Sequence, residues 1–218
     1  MTRTEYYQLQ KKLAREQREL FELASPVVTL TDLRRAYRHH GISITLWPPK
    51  NMSGTKAKKL RGSYHHIEGE PTVLISRKLP KEQRIFTMAH ELKHHIFDFE
   101  LVQSGASACA ITEDNDYIEK GAEIFAAEFI YPERDFISHL AEGGIEYGQC
   151  TAEDIVRLKR KTGTTLSYTS LAKRADILGY APKGSLEKVH WIKLEESMFG
   201  EPVYKRIIRY RQSAGAVR

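Results

Sequence analysis

Two histidines four positions apart bracket a glutamate in His90-Glu91-Leu92-Lys93-His94. On a helix, residues i and i+4 stack on one face, so both imidazoles can point at one ion. Neutral imidazole suits Zn²⁺ at about 2.0–2.1 Å per bond. Glu91 then lies beside the metal, where it can take a proton from a bound water. Zinc lowers the pKa of that water from about 15.7 toward about 7, which makes hydroxide available near neutrality. His95 follows directly, but a helix turns it about 100° away from His94, so it is left out of the ligand set.

A catalytic zinc takes three protein ligands and keeps one position open. The third ligand has to come from another element. Glu119 and Glu123 lie four apart on a second apolar-periodic stretch. One carboxylate can bind metal while the other accepts the spare N–H of a ligand histidine and fixes its tautomer. Glu128 and His139 compete for the ligand place, and Glu119 can also serve as a cap near Asp116. An oxyanion donor is needed as well, and Tyr131, His139 and Tyr147 are the candidates downstream.

The elements that must position these groups follow from periodicity. Residues 4–24 read as a helix with a narrow stripe of Leu9, Leu13, Leu20 and Phe21, docked or partner-seeking, ended by Ser25-Pro26. Thr31 is a plausible N-cap for a short helix through His40, closed by Gly41. Ile42–Trp47 alternates as a half-buried strand, and a basic loop runs from Lys50 to Lys59. Ser63–Glu68 and Thr72–Ser76 make a hairpin around Gly69-Glu70-Pro71. Pro80 opens the His90 helix, whose inward residues are Ile85, Ala89, Leu92 and Ile96. Ser104–Ala110 reads as a loop. Asp116–Ile130 is the Glu119 helix, with Ile118, Ala122, Phe125, Ala126 and Phe129 inward, stopped at Tyr131-Pro132. Thr151 caps a helix that precedes Gly163, and Ser167–Leu178 forms a last one before Gly179. Strands and helices segregate, so the expected fold class is α+β, with a small, mostly antiparallel sheet packed on the active-site helices and a helical C-terminal part.

The stretch from Arg84 to His94, followed by Glu119 to Pro132 with its Phe125-Ala-Ala-Glu-Phe-Ile-Tyr-Pro132 ending, resembles the ImmA/IrrE family of zinc peptidases. The resemblance runs from about Leu30 to Tyr180. It implies a zincin-like fold, one catalytic zinc on His90, His94 and Glu119, and Glu91 as general base. The family's third ligand, a glutamate thirteen positions before the proline, falls on Glu119. Glu123 falls where the family has Asn or Asp, a position suited to orienting a ligand histidine. Lys93 replaces the family's usual glycine and is expected at an exposed, harmless position. Family members are cytoplasmic and often cleave a helix-turn-helix repressor, releasing genes of mobile elements or stress responses. The implied division is an N-terminal helical extension over 1–25, a metallopeptidase domain over 26–182 and a basic C-terminal extension over 183–218.

Composition sets the rest. The chain has 218 residues, 41% hydrophobic and 28% charged, in line with globular proteins. The longest apolar run, near Phe125–Tyr131, is far short of a membrane span of about 20 residues. The charged N-terminus lacks a secretory signal. Cys109 and Cys150 lack metal-binding spacing, and free thiols in a cytoplasmic protein are expected. The net charge is +6, with basic clusters at Lys50–Arg61 and Lys205–Arg211. Without interleaved aromatics these read as a solvated face, and direct nucleic-acid binding is the weaker expectation. The helices around Gly163 resemble a helix-turn-helix but are expected to pack onto the core. The leading reading is a zinc peptidase, and the resemblance implies a DNA-binding repressor as its substrate. Two alternatives stand beside it: a non-cleaving zincin scaffold that holds a repressor or antitoxin, and a nucleic-acid-binding regulator. A pure binder has no need of Glu91.

Overall fold

The structure is a computed structural model that describes residues 2–24, 26–48, 61–67, 69–99, 113–202 and 205–207. The basic loop after Lys50, the Ser104–Ala110 segment, Cys109 and most of the Lys205–Arg211 cluster lie outside the described residues.

The element order is α1 (Arg3–Leu20), α2 (Leu30–His39), β1 (Ser43–Trp47), β2 (Gly62–Ile67), β3 (Glu70–Ser76), α3 (Lys81–Phe97), α4 (Glu113–Ile130), α5 (Glu133–Glu142), α6 (Ala152–Thr162), α7 (Tyr168–Ile177) and α8 (Trp191–Phe199). The class is α+β. The sheet is mixed: β3 lies in the centre, parallel to β1 and antiparallel to β2. The hairpin accounts for the antiparallel pair, with Gly69 in the left-handed region that its tight turn requires. The parallel pair comes from β1, which the expectation of a mostly antiparallel sheet did not foresee. Among the described residues, no helix is long and apolar enough to cross a membrane.

The chain divides into two compact units. The first comprises Met1–Ser138 with Thr162–Ser167, and the second His139–Lys161 with Tyr168–Arg218. In the first, α3 packs against β2, β3 and α4. Val73, Ile75, Ile85, Ala89, Leu92, Ala122, Phe125, Ala126 and Phe129 are all fully buried there. This apolar layer fixes the faces of α3 and α4 and therefore which residues those helices turn toward each other.

α1 docks on α4, and its contact face is polar. Gln10, Ala14 and Arg18 are buried, whereas Leu9 and Leu20 of the expected stripe stay exposed. Arg18 donates to the carbonyls of Phe129 at 2.5 Å and Leu23 at 2.6 Å. Arg15 donates to Glu128 Oε1 at 3.0 Å, and Lys11 pairs with Glu133 at 2.6 Å. Ends that read as helix caps shift slightly. Thr29, not Thr31, caps α2, because its hydroxyl and Asp32 satisfy each other's backbone N–H groups. Pro80 is itself the N-cap of α3.

In the second unit, Thr151 and Asp154 form a capping box at the start of α6. Ile155, Val156 and Leu158 of α6 and Leu171, Ala172 and Ala175 of α7 are buried. α8, unassigned from sequence, stacks Trp191 on Tyr168 at 5.5 Å. Arg160 lies over the Phe199 ring at 4.6 Å and pairs with Glu195 at 3.1 Å.

Candidate metal centre

α3 and α4 bring His90, His94 and Glu119 to one point. His90 Nε2 lies 3.1 Å from Glu119 Oε2 and 3.2 Å from His94 Nε2. His94 Nε2 lies 3.4 Å from Glu119 Oε1. Ligands about 2.0–2.1 Å from a tetrahedral ion sit about 3.3 Å from one another, so the triangle fits the size of a zinc site. The three together form a group able to hold a metal ion.

The electrostatics favour a cation at the same point. Burial works against a charge on Glu119, but the two imidazoles beside it outweigh burial and hold its carboxyl far below the usual range. Burial likewise opposes protonation of His94, and its hydrogen bonds to Asp98 and Glu119 outweigh burial, so its pKa is pushed up to about 9. The negative charge that draws a proton to these atoms also draws a metal cation, which binds by displacing that proton.

Glu91 is buried one position along α3 from His90. Burial pushes its carboxyl up, against the pull of the two imidazoles. The first residue of β2 holds it from the side. A Cβ built on Gly62 would lie 2.8 Å from Glu91 Oε1 and would overlap the Thr87 methyl. Gly62 therefore leaves the room that the Glu91 carboxylate occupies.

The residue that orients His94 is Asp98, which the sequence reading passed over. Its Oδ2 accepts from His94 Nδ1 at 2.7 Å, which leaves Nε2 with its lone pair toward the ligand triangle. Glu123, expected in that role, is turned outward. Its side chain is 51% exposed and pairs with Lys120 at 2.6 Å. Glu123 stands one turn along α4 from Glu119, on the ligand's helix but not the histidine's, and its carboxylate pairs with Lys120, whereas Asp98 follows His94 by four positions and caps α3 on the histidine's own face. Lys93 corrects a second expectation. It is wholly buried, not exposed, and its ammonium meets Asp98 Oδ1 at 2.8 Å and Oδ2 at 2.6 Å.

His95 stands apart from the triangle, as expected, with Nδ1 2.9 Å from the Tyr64 hydroxyl. Glu128 is buried, with Oε2 accepting from the Glu133 N–H at 2.9 Å, at the start of α5. Among the oxyanion candidates, Tyr131 is fully buried against Phe136. Tyr147, in the second unit, is 70% exposed and stacks on Tyr180 at 4.5 Å. His139 is half-buried on α5.

The fold is similar to that of a transcriptional regulator from Mycobacterium tuberculosis, with a TM-score of 0.50 and 20% identity over 77% of this chain. The match spans 46% of that regulator. No curated protein sequence matches the chain. The family model of the IrrE N-terminal-like domain, a peptidase domain, matches residues 38–174, more than half of the sequence and the part that holds α3 and α4. The chain belongs to the IrrE N-terminal-like peptidase family.

Proposed function

We propose that this protein is a zinc-dependent endopeptidase that hydrolyses a peptide bond in a specific cytoplasmic protein, a helix-turn-helix transcriptional repressor. The observation that carries the reading is the ligand-sized triangle of His90, His94 and Glu119 with the buried Glu91 carboxylate beside it. Family membership supports the peptidase class. Similarity in fold to a transcriptional regulator fits a regulatory setting.

His90 Nε2, His94 Nε2 and one Glu119 oxygen would hold the metal. Zinc, when bound, polarises the scissile carbonyl and acidifies water. Glu91 takes the proton of the attacking water at its carboxylate and returns it to the leaving amine nitrogen. Its burial serves both halves of that cycle, because a carboxyl with raised proton affinity is a better base than an exposed one. Asp98 keeps His94 in the tautomer that presents Nε2.

The test is metal content by mass spectrometry, followed by incubation of the zinc-loaded protein with a cognate repressor. The expected result is about one zinc per chain, lost in Glu119→Ala, and a cleaved repressor that stays intact with Glu91→Gln. If Glu91→Gln still binds zinc and still relieves repression, the protein is a non-cleaving scaffold. If the wild type takes up no zinc even when it is offered, the metallopeptidase reading is wrong.

A further inference from the structure

The buried ammonium of Lys93 is not needed by the chemistry above, yet it sits behind both arms of the ligand triangle. It holds both oxygens of Asp98, whose Oδ2 accepts from His94. It also reaches the Ile118 carbonyl at 3.5 Å, one residue before Glu119. On its far side it donates to the Tyr6 hydroxyl of α1 at 3.3 Å. Tyr6 is itself fixed. Its ring stacks on Tyr117 at 4.0 Å, and it lies so close to Gly121 that a Cβ there would come within 3 Å of its ring. Only a glycine at that turn of α4 lets the tyrosine reach Lys93.

We propose that α1 is a positioning element of the metal centre: Tyr6 holds Lys93, Lys93 holds Asp98, and Asp98 sets the ring of His94. The inference rests on the zinc reading above and adds a distant residue to it. An aspartate can turn about its own side-chain bonds. With both oxygens held by one ammonium, Asp98 has a single orientation in which Oδ2 meets His94 Nδ1. Groups that orient a metal ligand in this way typically change metal affinity by about 10–100-fold when removed. Tyr6 and Lys93 are positioning residues, since neither touches the metal point.

The experiment is zinc affinity measured by competition with a chromophoric chelator, on the full chain, beside the melting temperature of each metal-free variant. Tyr6→Phe keeps the ring and its stacking and removes only the hydroxyl. Asp98→Asn is expected to weaken zinc binding by about 10–100-fold, Lys93→Met by about tenfold and Tyr6→Phe by about 3–10-fold. The deciding measurement is the double variant. If Tyr6 acts through Asp98, Tyr6→Phe has no further effect in the Asp98→Asn background. The inference is overturned if Tyr6→Phe binds zinc as the wild type does. It is equally overturned if the loss is the same size with and without Asp98, which marks a general loosening of the fold. A wild type that binds no zinc overturns the metallopeptidase reading itself and the inference with it. Zinc bound normally by the wild type and by Tyr6→Phe removes the inference alone.

Discussion

The Glu91 carboxylate fills space that only a glycine at position 62 leaves open. Adding a methyl group there puts a carbon 2.3 Å from the Thr87 methyl and 2.8 Å from the carboxylate oxygen, so Thr87 and Glu91, or β2 itself, must shift. Misplacing a catalytic group by about 1 Å can cost about 100-fold in rate. Gly62→Ala is therefore expected to lower kcat by about 10–100-fold while zinc content stays at wild-type stoichiometry. Steady-state kinetics with metal analysis would check this, and an unchanged kcat would show that Glu91 has slack. Cys150 offers a second residue-level expectation. Burial pushes its thiol up to about 12, with Asp154 adding to the effect. At pH 8 its thiolate is scarce, so iodoacetamide should label Cys150 slowly until the protein unfolds, as peptide mapping would show. The sign for stability follows: the folded pKa exceeds the ordinary value, so the stabilisation is complete below pH 9 and lost as pH climbs toward 12. Residue types also explain what the sequence revealed of the site. His90, Glu91 and His94 were legible because helix geometry alone sets their relation. Asp98 carries the same signal, four positions after His94, but so does Glu123 after Glu119, and spacing alone does not choose between them.

The α1–α4–α5 contact shows what one buried carboxylate does for neighbouring elements. Glu128 Oε1 accepts from Arg15 on α1, and Oε2 accepts from the first N–H of α5. Its side chain is 1% exposed while that of Arg15 is 46% exposed and open to water, so removing Glu128 mainly leaves the first N–H of α5 short of its partner. Glu128→Ala is expected to cost about 1–3 kcal/mol, read as a lower urea midpoint. Zinc stoichiometry should persist, because Glu128 is not in the ligand triangle. This is also why α1 was half legible. Its capping box of Thr2 and Glu5 marks the helix start, but its docking face of Gln10, Ala14 and Arg18 carries no apolar pattern. Lys93 was misjudged for the same non-local reason. Viewed along α3 alone it adjoins the ligand face, whereas Tyr6 of α1, eighty-seven positions earlier, and the Ile118 carbonyl of α4 meet its ammonium. The helix α5 went unassigned although Phe136 and Leu140 fall at helical spacing, and α8 because it has no side-chain cap and no buried residue to mark one face.

For the molecule as a whole, the ligand triangle ties α3 to α4, so metal and folding are linked. A ligand that binds the folded state alone adds about 4 kcal/mol when present at about 1,000 times its Kd. Zinc is expected to raise the melting temperature by several degrees, and a chelator should reverse the gain. Glu119→Ala should melt at the same temperature with and without zinc. Calorimetry of the three samples separates this from nonspecific metal effects, which would persist in the variant. Fold class was readable at this scale because strands and helices segregate along the chain. Sheet order was not, since β1 pairs with β3 across an intervening strand and no local signal specifies that pairing.

The buried pair of Lys93 and Asp98 has a consequence for the history of the sequence. A lysine buried at this position is tolerable only where an acid waits five positions on, and losing that acid would strand a charge in the interior. The two positions cannot drift independently. In related chains, lysine at the first should coincide with an aspartate or glutamate at the second, whereas glycine at the first leaves only the histidine's demand for an acceptor there. The order of substitution is constrained as well: acid first, lysine second. Reconstructed intermediates carrying lysine alone should be the least stable members of the lineage.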